Sequence, residues 1–305
     1  AAPVFDRALH SPALAERARE TARRIREDTR KYLACDGPFG PQFAAATDLK
    51  RFALFIDGED SEGALAPYFG FCSPDDPLWR NYLRHGLSPM NPIYEPETGG
   101  LVWLDDPNIG HSCTAAATSP SLSARLAGCT TREEALDELS RIRSLSDWDA
   151  NLYWWISPGQ RRDRVCGSMW AHSCIAGLML TEYLGLVPDA PGRKLTFAPW
   201  CPWPRFEWRN LSLGAFEIDV AFERDERAAR LSLANRGEWP IAVRFGFYAP
   251  ENARWSLLAD GRQQAQATEC ELIRGERRIW VEAEVAAGET SAWTLRLAGA
   301  GKGGN

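Results

Sequence analysis

Nowhere does the sequence run through the ~20 consecutive apolar residues that a membrane-spanning helix needs. The longest apolar segment, around Ile175 to Leu180, has the length of a core helix. Paired cysteines are missing too. The eight cysteines, at 35, 72, 113, 129, 166, 174, 201 and 270, include no C-x-x-C, so a zinc cluster is not expected. Cys166 and Cys174 lie more than two helical turns apart and cannot bridge within one helix. This scatter reads as small buried hydrophobes in a reducing, cytoplasmic compartment. The N-terminus has neither an initiator Met nor the apolar core of a secretion signal, so the chain is expected to start internally or after processing, and localisation is otherwise open.

Three catalytic signatures are absent: a Gly-rich phosphate loop, an H-E-x-x-H pair and a Ser-His-Asp order. Nucleotide binding, zinc hydrolysis and serine nucleophile chemistry are set aside with them, and no cofactor is expected. A basic face is lacking as well. The formal net charge is −6, and the arginines between Arg17 and Arg30 are interleaved with Glu20, Glu27 and Asp28 behind Glu16. That interleaving is a solvated helix face, not a surface for nucleic acid or membrane.

The material that is present suffices for about two domains of roughly 100–200 residues each. Of the 305 residues, 45% are hydrophobic and 25% charged, an ordinary globular balance. Residues 12–33 carry a helical stripe of Leu14, Ala18, Ala22, Ile25, Thr29 and Tyr32 or Leu33, begun by Ser11-Pro12. A Gly-Pro loop at 37–41 ends it. Further helices are expected at 64–71, 77–85, 119–126, 131–144 and 168–184, the last stopped by Gly185. Between them, 89–111 is almost all loop, and long loops in compact domains tend to carry function. The period then falls from 3.6 to 2. Phe216-Glu-Ile218-Asp-Val220-Ala-Phe222 and Val243-Arg-Phe245-Gly-Phe247 alternate, and turn signals follow at Asn235-Arg-Gly237, Asp260-Gly261 and Arg274-Gly275. The expected fold is α+β and multidomain: helices over 1–190, a Pro/Trp crossover over 191–204, an antiparallel β-sandwich over 205–298 and a disordered Gly-rich tail over 299–305.

Four carboxylates, Asp57, Glu59, Asp60 and Glu62, crowd six positions. Crowded like charges raise one another's pKa, which suits a general acid or a rim for sugar hydroxyls. A solvated turn or an N-cap for the following helix is the plainer reading. Calcium is a third, although the spacing is not that of an EF-hand. Asp105, Asp106 and His111 share the long loop with Trp103; carboxylates beside an indole suit a pyranose, whose C–H face stacks on the ring. An Asx turn before Pro107 would account for the aspartates equally well. The densest polar–aromatic mixture is Asp147, Trp148, Asp149, Asn151, Tyr153, Trp154 and Trp155. It reads as a sugar-binding wall or as packing at a barrel mouth. Trp170 and His172, opening the last helix, could line a pocket floor or belong to the core.

Two ordered sets of motifs extend this reading. Asp57-Gly58 leads to Pro67-Tyr68-Phe69-Gly70-Phe71, then Leu87-Ser88-Pro89-Met90-Asn91-Pro92-Ile93-Tyr94, Gly99-Gly100 and Gly110-His111. This order resembles the metal-independent exo-α-mannosidases built on an (α/α)6 toroid. Gly185-Leu186-Val187-Pro188-Asp189-Ala190-Pro191-Gly192 resembles the run before the closing β-sandwich of α-L-rhamnosidases. Together the two cover about residues 55–225. The resemblance implies a six-hairpin glycosidase acting on an oligosaccharide or glycoside, with no metal. The helices of 1–190 correspond to only about half of such a ring, which implies the second half of a barrel, completed by a missing N-terminal half or another chain. In the mannosidase-like enzymes the base is a Glu in a His-Glu-Ser loop. Here Asp147-Trp148-Asp149 stands at the comparable place, which makes Asp149, then Asp147, the candidate base. Glu59 is the carboxyl of the earlier loop that suits acid duty. The alternatives are a non-catalytic carbohydrate-binding module and a subunit that completes a toroid.

Overall fold

The computed structural model describes residues 10–54, 61–96, 99–101, 117–118, 120–145, 155–156, 169–259, 262–264 and 269–297. The chain divides into two compact units, residues 17–178 in one and residues 179–305 with 1–16 in the other.

Helix α1 (Pro12–Tyr32) opens the described chain. Its charged flank is self-paired, Arg23 reaching Glu20 at 2.7 Å and Glu27 at 2.6 Å, all three in solvent. The apolar stripe expected to be buried is not: Leu14 is 45% and Ile25 56% exposed, and Ala15 alone is fully covered. Past α1 the chain forms two short ladders where the sequence suggests loop, β1 (Ala34–Gly37) with β2 (Gly40–Phe43) and β3 (Ala46–Thr47) with β4 (Phe52–Ala53). These strands are too short to show alternation, and Gly37 and Gly40 make their turn.

The expected helix at 64–71 is a 3-10 turn over Ser61–Leu65 followed by turns. Gly70 sits at φ +68, the left-handed region that ends a helix. Helix α2 (Pro77–Gly86) forms as its signals dictate: Asp76 caps it by accepting from Leu78 N at 3.0 Å, and Pro77 takes the first position. A small ladder, β5 (Tyr94–Glu95) with β6 (Gly100–Leu101), precedes a second, β7 (Ala117–Thr118) with β8 (Trp155–Ile156). Between β7 and β8 come α3 (Pro120–Gly128) and α4 (Arg132–Leu145). Helix α4 starts with a capping box: Glu134 N donates to Thr131 Oγ1 at 3.2 Å, and Thr131 N donates to Glu134 Oε2 at 3.3 Å. The last helix, α5 (Met169–Leu178), widens into a π-turn at Met179–Tyr183 instead of running on regularly to 184. Among the described residues this unit holds five α-helices and four two-stranded ladders, counting α1 with it. A ring of paired helices is not displayed by them.

The second unit is rich in strand. After Gly185 come β9 (Leu186–Asp189) and β10 (Lys194–Phe197), so the stretch read as a crossover contributes a strand of its own. The rest are β11 (Arg205–Leu213), β12 (Phe216–Arg224), β13 (Ala228–Asn235), β14 (Ile241–Pro250), β15 (Trp255–Ala259), β16 (Arg262–Gln264), β17 (Glu269–Ile273), β18 (Glu276–Val285) and β19 (Thr290–Leu297). They form one sheet in the order β17-β18-β14-β10-β9 and another in the order β11-β12-β13-β19-β15-β16. All pairings are antiparallel except β10 with β14. The alternation seen in the sequence sorts the faces: Phe216, Ile218, Val220 and Phe222 of β12 are buried, as are Val243, Phe245 and Phe247 of β14. The two buried faces meet through aromatic contacts, Phe245 with Trp293 at 6.4 Å and Phe197 with Phe206 at 6.3 Å.

Candidate functional site

The residues singled out for chemistry fall on four segments. Asp57, Glu59, Asp60, Trp103, Asp105, Asp106, His111, Asp147, Asp149 and Trp154 lie outside the described residues. Glu62 is placed in backbone on the 3-10 turn, Trp155 on β8, and Trp170 and His172 on α5. What the structure does establish is how the flanks of these segments are held.

Helix α3 is the hub. It packs against the 3-10 turn, α2, α4, α5, β6 and β7. The acidic segment ends at Gly63, whose carbonyl accepts from Trp79 Nε1 at 3.1 Å; Trp79, on α2, is completely buried. A side chain at 63 would run into the Tyr82 hydroxyl at 2.9 Å, so glycine is what lets the chain at this position lie against α2. The segment bearing Trp103 and His111 leaves from Gly99-Gly100. Arg125 of α3 donates to the Gly99 carbonyl at 3.1 Å and is itself clamped by Glu138 of α4. That carboxylate raises the pKa of Arg125 against the opposing effect of burial. The same segment returns at β7, which pairs Thr118 with Trp155 and thereby ties it to the Asp147–Trp155 segment. Trp170 and His172 arrive on α5, the helix most closely applied to α3. Tyr68, from the Pro-Tyr-x-Gly-Phe motif, sets its hydroxyl against Gly177 of that helix, 2.9 Å from where a Cβ would stand.

The other motif residues are framework. Asn91 is 3% exposed, donates to Gly86 O at 2.9 Å and accepts from Ile93 N at 3.3 Å. It therefore ties the Leu-Ser-x-x-Asn-Pro turn to the end of α2. Gly70 offers its carbonyl to Arg26 at 3.0 Å, and Arg30 pairs with the buried cap Asp76. Beside this framework, α2, α3 and α4 border a cleft of about 600 Å³ lined by Arg80, Arg84, Arg125, Cys129, Glu134 and Glu138. Glu134 stays below the usual carboxylate range: burial pushes its pKa up, and hydrogen bonds from Thr130 and Thr131 outweigh it. His85 is buried on α2, and burial lowers its pKa. No group of three or more metal-ligating side chains occurs among the described residues.

Sequence reasoning missed Arg125 and Glu138. They sit thirteen residues apart on two helices, and no local pattern signals such a pair. Nothing local marks Trp79 as the donor that holds Gly63 either.

No family profile and no curated protein matches the chain. Three solved structures resemble it in part. A Streptococcus pneumoniae member of the metal-independent α-mannosidases, in complex with α-1,6-mannobiose, is 22% identical over 55% of this chain and 39% of its own, with a TM-score of 0.43. An α-L-rhamnosidase from Dictyoglumus thermophilum is 10% identical over 96% of this chain and 30% of its own, with a TM-score of 0.46. The Streptomyces avermitilis α-L-rhamnosidase complexed with L-rhamnose is 12% identical over 97% of this chain and 25% of its own, with a TM-score of 0.45. The chain thus spans between a quarter and two fifths of the length of these structures.

Proposed function

We propose that the chain is an exo-acting glycoside hydrolase of the toroidal type, or the C-terminal part of one, with a helical barrel portion followed by a β-sandwich. Its substrate is an oligosaccharide or glycoside. It acts by single inversion: one carboxylic acid protonates the leaving oxygen while a carboxylate activates water on the opposite face. Asp149 is the first candidate for the base and Asp147 the second; Glu59 is the candidate acid. Trp103, Trp154, Trp155 and Trp170 offer stacking surfaces, and Asp57, Asp60, Glu62, Asp105, Asp106, His111 and His172 offer hydrogen bonds to hydroxyls.

One observation carries this reading. The described flanks of all four candidate segments meet around a single helix, α3, through Gly63, Gly99, the Thr118–Trp155 pair and α5. Segments distant in sequence are thereby rooted in one neighbourhood, as a site assembled from several loops requires. The motif order of residues 57–111 supports the same class.

The test is a screen of α- and β-linked aryl glycosides on the chain and on Asp149→Asn, Asp147→Asn and the double variant. Loss of about 10²-fold or more in kcat for the folded Asp149→Asn protein is expected of a general base. Undiminished hydrolysis by the folded double variant removes both assignments.

A second reading, a subunit that completes a toroid with another chain, is favoured by the α1 stripe left in solvent at Leu14 and Ile25. Sedimentation as a monomer over a wide concentration range would remove the self-associating form of it.

A further inference from the structure

The strand-rich unit presents a second aromatic surface, remote in sequence from every segment discussed above. Trp239 lies in the turn between β13 and β14 and is 58% exposed, among the most exposed large apolar side chains described. A lone exposed indole is ordinary on a protein surface. This one differs in how firmly its backbone is held. Asn235, 1% exposed, donates through Nδ2 to Trp239 O at 2.7 Å and to Val285 O at 3.0 Å, while its Oδ1 accepts from Gly237 N at 3.1 Å. A fully buried amide thus spends its hydrogen-bonding capacity on fixing the turn. The other end is pinned by Arg236, whose N donates to Glu217 O at 2.8 Å and whose guanidinium lies 3.4 Å from Asp219.

One neighbour of the indole is equally constrained. Arg193 stands at φ +49, with its N donating to Ala190 O at 3.1 Å and its carbonyl accepting from Ala242 N at 3.0 Å. Its guanidinium carbon lies 4.6 Å from the Trp239 ring centroid. The cation covers part of the indole and leaves donors at its edge, and more than half of the residue still faces solvent. Arg236 and Glu238 are neighbours of Trp239 in the turn, and Glu217, whose carbonyl holds Arg236 N, sends its carboxylate to Ser212 Oγ.

We propose that Trp239 and Arg193 form a carbohydrate-binding platform, separate from the candidate catalytic loops, on which a pyranose ring of a glycan stacks. A pre-ordered indole beside a guanidinium matches a sugar, with C–H groups on its face and hydroxyls at its rim. The rigid turn spares the ordering cost that a mobile loop would carry. An acidic peptide would need a cationic surface, and the turn itself carries Glu238 as well as Arg236. The identity of the ligand as a glycan rests on the function proposed above, and the position of the site does not.

The test is affinity gel electrophoresis of the full chain in gels containing soluble α-mannan, xylan or rhamnose-containing pectin. Trp239→Ala, Trp239→Phe, Arg193→Ala and the control Trp208→Ala run alongside. Trp208 is also exposed, on edge strand β11, but belongs to no such turn. Retardation of the parent chain by at least one polysaccharide is expected, with the affinity about tenfold weaker in Trp239→Ala, partly kept in Trp239→Phe and unchanged in Trp208→Ala. Equal retardation of parent and a natively folded Trp239→Ala would overturn the proposal. So would no retardation by any of the three, equal loss in Trp208→Ala, or a dimer that Trp239→Ala dissociates without any effect of glycan. Aryl-glycoside hydrolysis, measured in parallel, separates the two ideas. Activity with no Trp239-dependent retardation sinks the platform alone, and retardation without activity in any preparation sinks the hydrolase reading alone.

Discussion

The indole nitrogen of Trp79 donates to the carbonyl of Gly63 across 3.1 Å, joining the buried face of α2 to the end of the acidic segment. Replacing Trp79 with Phe keeps an aromatic ring but removes the donor and leaves a cavity. An expected loss of about 2–4 kcal/mol in unfolding free energy combines the two effects, readable by urea denaturation. If the proposed site is correct, glycosidase activity should fall in the folded fraction as well. An activity unchanged per folded molecule would show that the position of Gly63 does not matter to the chemistry.

Gly185 ends the last helical stretch at φ +66, and a Cβ there would lie 2.1 Å from the Ala198 carbonyl carbon. Backbone cannot yield as a side-chain tip can. Gly185→Ala is expected to cost more than about 4 kcal/mol, since left-handed strain and a backbone clash add. Soluble expression and thermal melting would check it, and a shift in Tm of only a degree or two would contradict the geometry.

Asn91→Ala strips two hydrogen bonds from a buried turn and leaves Gly86 O and Ile93 N to find other partners. The expected cost is about 1–3 kcal/mol. Because both side-chain bonds of Asn91 run to backbone within its own turn and the end of α2, the loss should appear in stability rather than in KM.

Glu271 gives a pH dependence with a definite sign. Burial works against its charge, but Trp280 Nε1 at 2.7 Å and Arg278 hold its pKa below the usual glutamate value. A carboxylate whose folded pKa is depressed contributes stability above its unfolded value and loses it as pH falls through the folded one. Melting curves between neutral pH and pH 3 should therefore show Glu271→Gln below the parent at neutrality, with the gap closing in acid. Parallel curves at every pH would contradict it.

Much of this was legible because the signals were local. Ser11-Pro12 announced the start of α1, Gly185 announced the end of the last helical stretch, and the alternation of Phe216 to Phe222 announced β12. Each rests on contacts within a few residues or on a strict period. The α1 stripe misled because amphipathicity records a face suited to burial, not the presence of something to bury it. The helix expected over 64–71 gave way to turns, since Gly63, Pro67 and Gly70 interrupt its backbone. The parallel pairing of β10 with β14 joins residues about fifty apart, which no window of sequence displays. The candidate site divides similarly. Its motifs were readable as motifs, whereas Arg125, which holds Gly99, belongs to a helix whose sequence gives no hint of that partner.

The place of β10 bears on how the strand-rich unit can be cut free. It lies between β9 and β14, so the polypeptide just past Gly185 closes one side of the sheet. Pro188 then sits on the outermost strand, where a missing N–H discourages further strand addition. A truncation starting at Arg205 would strip both strands away and bare a ten-residue edge of Val, Phe and Tyr along Ile241–Pro250. Such a fragment invites aggregation, whereas one starting at Met179 retains its own guard.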